Sequence, residues 1–182
     1  MMRSGCVAAA LAMLWAAPTL GTTLARTSLD DLIRQSTAIV RGKVVGTRTA
    51  LRGTMIYTHV RVQVLERWKG PDDSTVEVAL PGGTMGGVRQ SIGGVPELAE
   101  GAEYVFFLWT GRSRVTYLLG LSQGVLDIAR TAQGEPLVYR GSIDAVIVDP
   151  KSGSVVRDEP FSMRMSEFTS RVRTALGGGT SR

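Results

Sequence analysis

Residues 38–70 read AIVRGKVVGTRTALRGTMIYTHVRVQVLERWKG, and this stretch decides the fold. In its second half Ile56, Thr58, Val60, Val62 and Val64 alternate with Tyr57, His59, Arg61 and Gln63. In its first half Ala38, Val40, Gly42 and Val44 alternate with Ile39, Arg41, Lys43 and Val45. Successive side chains of a strand point to opposite faces, so the pattern predicts two long antiparallel strands with one apolar face. The other face is basic. Arg52-Gly53 supplies the turn between them, since glycine reaches backbone angles that a tight turn demands. Gly42 and Gly46 predict bends within the first strand, of the kind a small barrel needs to close.

Working outward, further strand-like runs occupy residues 75–80, 103–109, 115–121 and 125–129, with weaker candidates at 137–139 and 145–148. No proline interrupts the four main runs, and Gly70-Pro71, Thr110-Gly111-Arg112 and Gln133-Gly134-Glu135-Pro136 punctuate the chain outside them. Many short strands with glycine-rich turns predict an all-β barrel or sandwich. A short helix is predicted over 28–35, SLDDLIRQ. Ser28 caps it, Asp30 and Asp31 complement its positive end, and Leu29, Leu32 and Ile33 form its apolar face. Too short to stand alone, it is expected to pack across an open end of the sheet. A second helix, 166–176, is expected to start at a Ser166 cap, with Phe168, Val172, Ala175 and Leu176 on one side. The tail 177–182 is expected to be disordered.

The first 25 residues have the layout of an export signal. Arg3 is the only charge before Arg26, the apolar run VAAALAMLWAA covers 7–17, and Pro18 and Gly21 follow. Thr23-Leu24-Ala25 then places small residues where a leader peptidase reads them, giving a cut after Ala25. The run is shorter than the roughly 20 apolar residues of a membrane span; an uncleaved anchor is the other reading. No later segment has the composition of a transmembrane span. Cys6, the single cysteine, lies ahead of the apolar run, so it cannot become a lipidated mature terminus.

The mature chain would be a single domain, 26–176, working in the periplasm or outside the cell. It would contain no cysteine and only one histidine, His59. That excludes zinc fingers, thiol catalysis and multi-histidine metal sites. Without disulfides the domain must rely on its core; a domain of this size buries about 70% of its unfolded surface. The excess of arginine over lysine points, by association, to a GC-rich bacterium. Charge is uneven: residues 26–69 hold 9 Arg/Lys against 3 acidic residues. An acidic partner would therefore bind the first third.

Arg41, Lys43, His59 and Arg61 are expected together on the basic face of the strand pair, with Arg48, Arg52, Arg67 and Lys69 near the strand ends. Such a face suits anionic glycan, lipid headgroups or nucleic acid. Nucleic acid is disfavoured by export and by the lack of stacking aromatics, Tyr57 being the only one on that face. The plainer account is a solvated basic surface, with His59 an ordinary strand residue. A second candidate is the loop 81–96, PGGTMGGVRQSIGGVP. Backbone N–H groups at Gly82, Gly83, Gly86 and Gly87, with Arg89, suit an anion; the plainer reading is a mobile loop or wide hairpin over a barrel mouth.

Catalytic motifs are weak. Gly120-Leu121-Ser122-Gln123-Gly124 matches the G-x-S-x-G string of serine hydrolases, but VLDIAR after it reads as a strand rather than a helix, and the only histidine precedes the serine. Glu97, Glu100 and Glu103 read as a polar turn entering a core strand. No phosphate-binding loop is present: Gly42-Lys43 is followed by Val44. A non-enzymatic binding module without a cofactor or metal is expected. The favoured partner is a protein, such as a protease or envelope component; the alternative is anionic glycan or lipid on the basic face.

Four segments carry a family resemblance: SLDDLIRQSTAIVRGKVV, IYTHVRVQVLERWKG, GAEYVFFLW and GLSQGVLDI. Together they are similar to the netrin-like module of tissue inhibitors of metalloproteinases, and to exported bacterial proteins of the same layout. Ala38, Val40, Gly42, Lys43, Val44, Lys69, Gly70, Gly101, Tyr104, Phe107 and Leu108 are the matching positions. The resemblance spans about residues 28–129 and implies an OB-type five-stranded barrel with accompanying helices. The inhibitory mechanism does not carry over. It depends on an N-terminal cysteine that chelates the catalytic zinc, and this mature chain has none.

Overall fold

The computed structural model describes residues 22–177, apart from 131, 133, 144, 158 and 159. Residues 1–21 of the expected leader and 178–182 of the expected tail lie outside the described residues; Gly177 ends a helix. The described chain is mainly β, as the alternation predicts, with two helices. It runs β1 (Thr23–Ala25), α1 (Leu29–Gln35), β2 (Ala38–Arg52), β3 (Met55–Lys69), β4 (Thr75–Pro81), β5 (Gly83–Met85) and β6 (Val88–Gln90). There follow β7 (Glu103–Thr110), β8 (Thr116–Leu118), β9 (Val125–Arg130), β10 (Pro136–Arg140), β11 (Val146–Val148), β12 (Val155–Val156), β13 (Phe161–Arg164) and α2 (Met165–Gly177).

The main sheet has the order β13-β10-β9-β7-β2-β3-β4-β8, and β8 also pairs with β7. Strands β7, β2, β3, β4 and β8 thus form a closed ring of five, from which β9, β10 and β13 extend. Two small sheets complete the fold, β1-β11-β12 and the hairpin β5-β6.

The strand pair β2–β3 forms as its sequence demands, with two devices that alternation alone does not reveal. Val44 stands opposite Val62 but Gly46 opposite Arg61, so Val45 is the extra residue of a bulge. Beyond it the faces of β2 exchange, and Arg48 stands opposite His59. Gly42 is a point of close approach: a Cβ there would lie 2.3 Å from Val62 Cγ1 and 2.9 Å from the Gln63 carbonyl oxygen. The turn falls at Gly53-Thr54, one residue later than expected. Gly53 has φ +62°, the positive angle that a two-residue hairpin loop places at its first position.

Two apolar clusters hold the fold together. Val40, Val44, Val60, Val62, Val78, Leu80, Tyr104, Phe106, Leu108, Leu118 and Val125 fill the ring. The second cluster lies on the outer side of the sheet and joins Ile39, Val105, Phe107, Leu126 and Val138 to Leu32 and Ile33 of α1 and Phe168 and Val172 of α2. Three expectations change here. Helix α1 does not cross an open end of the sheet; it packs with α2 on the outer face, and Arg171 of α2 reaches Asp30 at 3.0 Å. Ile39, on the face read as basic, is fully buried beneath the helices. Ser166 lies inside the first turn of α2 rather than capping it, and its hydroxyl donates to Glu135 at 3.0 Å. The Ser28 cap does form, accepting from the Asp31 N–H at 3.1 Å.

Two further runs differ. The run 115–121 is a strand only over Thr116–Leu118, then turns through a 3₁₀ segment, Leu121–Gly124. The loop 81–96 contains the β5–β6 hairpin.

Candidate functional site

The outer face of β2–β3–β4 gathers Arg41, Lys43, His59 and Arg61, together with Arg48, which the bulge at Val45 brings in. Acidic residues interleave with them. Arg41 lies 3.7 Å from Glu66 and 3.9 Å from Glu103. Glu77 on β4 receives Arg48 Nη2 at 2.6 Å and meets His59 Nδ1 at 2.9 Å. Arg48 donates two hydrogen bonds to this carboxylate and holds it below the usual carboxylate range, and His59 adds to the effect. Among the described residues, only Lys43 and Arg61 of the four candidates make no ion pair. The surface is a charge mosaic rather than a cationic patch.

The glycines of the second candidate serve the backbone. Gly82 donates its N–H to the Ile56 carbonyl at 2.7 Å, and its own carbonyl accepts from the Thr58 hydroxyl at 2.9 Å. Gly83 pairs with Gln90 in the β5–β6 ladder, and a Cβ there would lie 2.4 Å from Thr58 Oγ1. Gly86 and Gly87, with φ +57° and +78°, form the two-residue turn of the hairpin. Arg89 stands opposite Thr84 and is exposed. Beneath the hairpin a cleft of about 460 Å³ opens at the mouth of the ring, lined by Thr47, Thr58, Val60, Leu80, Arg89 and Glu97 among others.

This hairpin lies against the projecting end of β2–β3. Gln90 fastens them, accepting from the Ile56 N–H at 2.7 Å and donating to the Thr54 carbonyl at 2.9 Å. The two tips leave large apolar side chains in solvent: Leu51 is 56% exposed, Met85 38% and Val88 58%. None of the three was singled out as functional from sequence. Met85-Gly-Gly-Val88 does carry the signal of a two-residue hairpin with an apolar pair across it. Leu51 was hidden because the bulge at Val45 changes the facing of everything after it.

Ser122 and His59 are not brought together. Ser122 lines a separate cleft of about 440 Å³ with Glu97, Tyr104, Asp127 and Arg140, whereas His59 is on the outer face with Glu77. Among the described residues the Ser122 hydroxyl is buried with no hydrogen-bond partner, and its N–H donates to the Gly94 carbonyl at 3.0 Å. Asp127, directly opposite Tyr104 in the ladder, is a titratable residue that the sequence concealed inside an apolar strand. Burial pushes its carboxyl above the usual range, and it makes no ion pair among the described residues. Among those residues no group of three His, Cys, Asp or Glu could hold a metal ion, and no helix is long and apolar enough to cross a membrane. Comparison with family models, curated proteins and solved structures gives no match to this chain.

Proposed function

We propose that this chain is an exported, non-enzymatic binding module with an OB-like ring, and that it docks on a protein partner through the tips of the fastened hairpins β2–β3 and β5–β6. The observation that carries the reading is the exposure of Leu51, Met85 and Val88 on two hairpins fastened by Gln90. Exposed apolar side chains grouped on a projecting element are what a protein interface buries. The fastening orders the tips before binding, which lowers the entropy lost on association. The ion pairs of Arg41, Arg48 and His59 weaken the alternative, an anionic glycan or lipid on the outer face, since an anion would compete with Glu66, Glu77 and Glu103.

Leu51→Glu combined with Val88→Glu tests the reading against Lys43→Glu combined with Arg61→Glu. Size-exclusion chromatography of gently extracted cells is expected to show the native complex lost in the first variant and kept in the second, with both proteins melting as the native chain does. Loss only in the second variant supports the outer face instead.

A further inference from the structure

Residues 22–25 are built into the fold, although the leader pattern in the sequence runs through Ala25. Strand β1 runs parallel to β11, pairing Thr23 with Val146, Leu24 with Ile147 and Ala25 with Val148. Arg26 continues the contact, donating its N–H to the Val148 carbonyl at 2.7 Å. Gln123 then clamps the segment. Its Nε2 donates to the Ala25 carbonyl at 2.9 Å and its Oε1 accepts from the Thr27 N–H at 2.8 Å. Gln123 is 1% exposed, so its amide depends on these two partners for its hydrogen bonds in the folded chain.

The loop opposite is shaped for the same segment. Leu24 is buried against Gly94, where a Cβ would lie 2.8 Å from Leu24 Cδ1. At Gly93 a Cβ would lie 3.1 Å from Thr22 Oγ1. The Gly93-Gly94 pair is thus a socket for Thr22 and Leu24. A cut after Ala25 would remove the strand, empty this socket, leave the Gln123 amide without its acceptor and uncover Ile147, which is 2% exposed.

From this we infer that the chain is processed between Gly21 and Thr22, and that Thr22–Ala25 stay with the mature protein as a structural strand. Thr19-Leu20-Gly21 offers the same small-x-small spacing as Thr23-Leu24-Ala25, four residues upstream. A leader peptidase would hydrolyse the Gly21–Thr22 peptide bond with one water, leaving a carboxylate on Gly21 and an ammonium on Thr22. This inference rests on the export reading above.

The test is the intact mass and N-terminal sequence of the full chain, expressed from its own start in a Gram-negative host and recovered after fractionation. An exported protein beginning at Thr22 supports the inference. An exported protein beginning at Arg26, or at any other residue, overturns it while leaving export intact. A chain kept in the cytoplasm with residues 1–21 attached overturns both.

Discussion

Gln123 and Ala25 are joined by a 2.9 Å hydrogen bond across 98 residues of sequence, from the side-chain amide of the first to the carbonyl of the second. The glutamine sits at the end of the 3₁₀ segment that precedes β9, so it ties the N-terminal strand to the main sheet. Replacing Gln123 by Ala leaves the Ala25 carbonyl and the Thr27 N–H without their partner. Both bonds are part-buried and Ala25 is exposed, so water replaces them in part and the loss is expected at about 0.5–1.5 kcal/mol per bond. Thermal unfolding is expected to move down by several degrees, at roughly 2–4 °C per kcal/mol for a chain of this size. An unchanged midpoint would show that the clamp does not hold β1.

Gly42 and Gly46 lie in one strand but predict opposite outcomes. Gly42→Ala places a methyl group 2.3 Å from Val62 Cγ1 and against the Gln63 carbonyl, whereas at Gly46 nothing lies within 4 Å of the added carbon. Overpacking at the first is expected to cost about 1–3 kcal/mol, and the second to be close to neutral. Chemical denaturation of the two variants measures the difference directly. Equal effects would contradict the close-approach account of Gly42.

The core beneath the helices predicts a large loss from one substitution. Phe168 of α2 meets the Trp68 ring edge-on at 5.2 Å and the Phe107 ring at 6.1 Å, and is fully buried. Phe168→Ala is expected to cost about 3–5 kcal/mol and to weaken the near-ultraviolet circular dichroism of Trp68. A loss below about 1 kcal/mol, well under that range, would mean that α2 is not part of the cooperative core.

Asp127 predicts a pH signature. Burial raises its folded carboxyl above its unfolded value. The group therefore costs no stability below the unfolded value, and its penalty grows as pH rises through the folded one. Asp127→Asn is expected to melt higher than the native chain at pH 7, with the gain vanishing at about pH 3, below the unfolded carboxylate range. A gain that persists at pH 3, or a loss at pH 7, contradicts the assignment.

The strand pair was legible because Val60, Val62, Val40 and Val44 obey the period of two without exception. The Ser28 cap was legible because the Ser-x-x-Asp spacing is local. What stayed hidden depended on distant partners. Gly46 marks a bend where the bulge at Val45 falls, but nothing local shows that the bulge turns Arg48 onto the outer face. Ile39 reads, with Val45, as an apolar exception on a basic face until α1 and α2 cover it. Asp127 reads as a polar interruption of an apolar strand, and only its pairing with Tyr104 shows which face of the sheet it shares. Gly93 and Gly94 looked like loop flexibility, because nothing local shows that Leu24 returns to fill the space.

The binding account is tested most directly by photo-crosslinking in the producing cell, with a benzophenone amino acid at Val88 or at Arg61. The tip probe is expected to give one discrete protein adduct that disappears when Leu51→Glu is added, while the Arg61 probe gives none. An adduct from Arg61 alone, or none from Val88, would contradict docking through the hairpin tips.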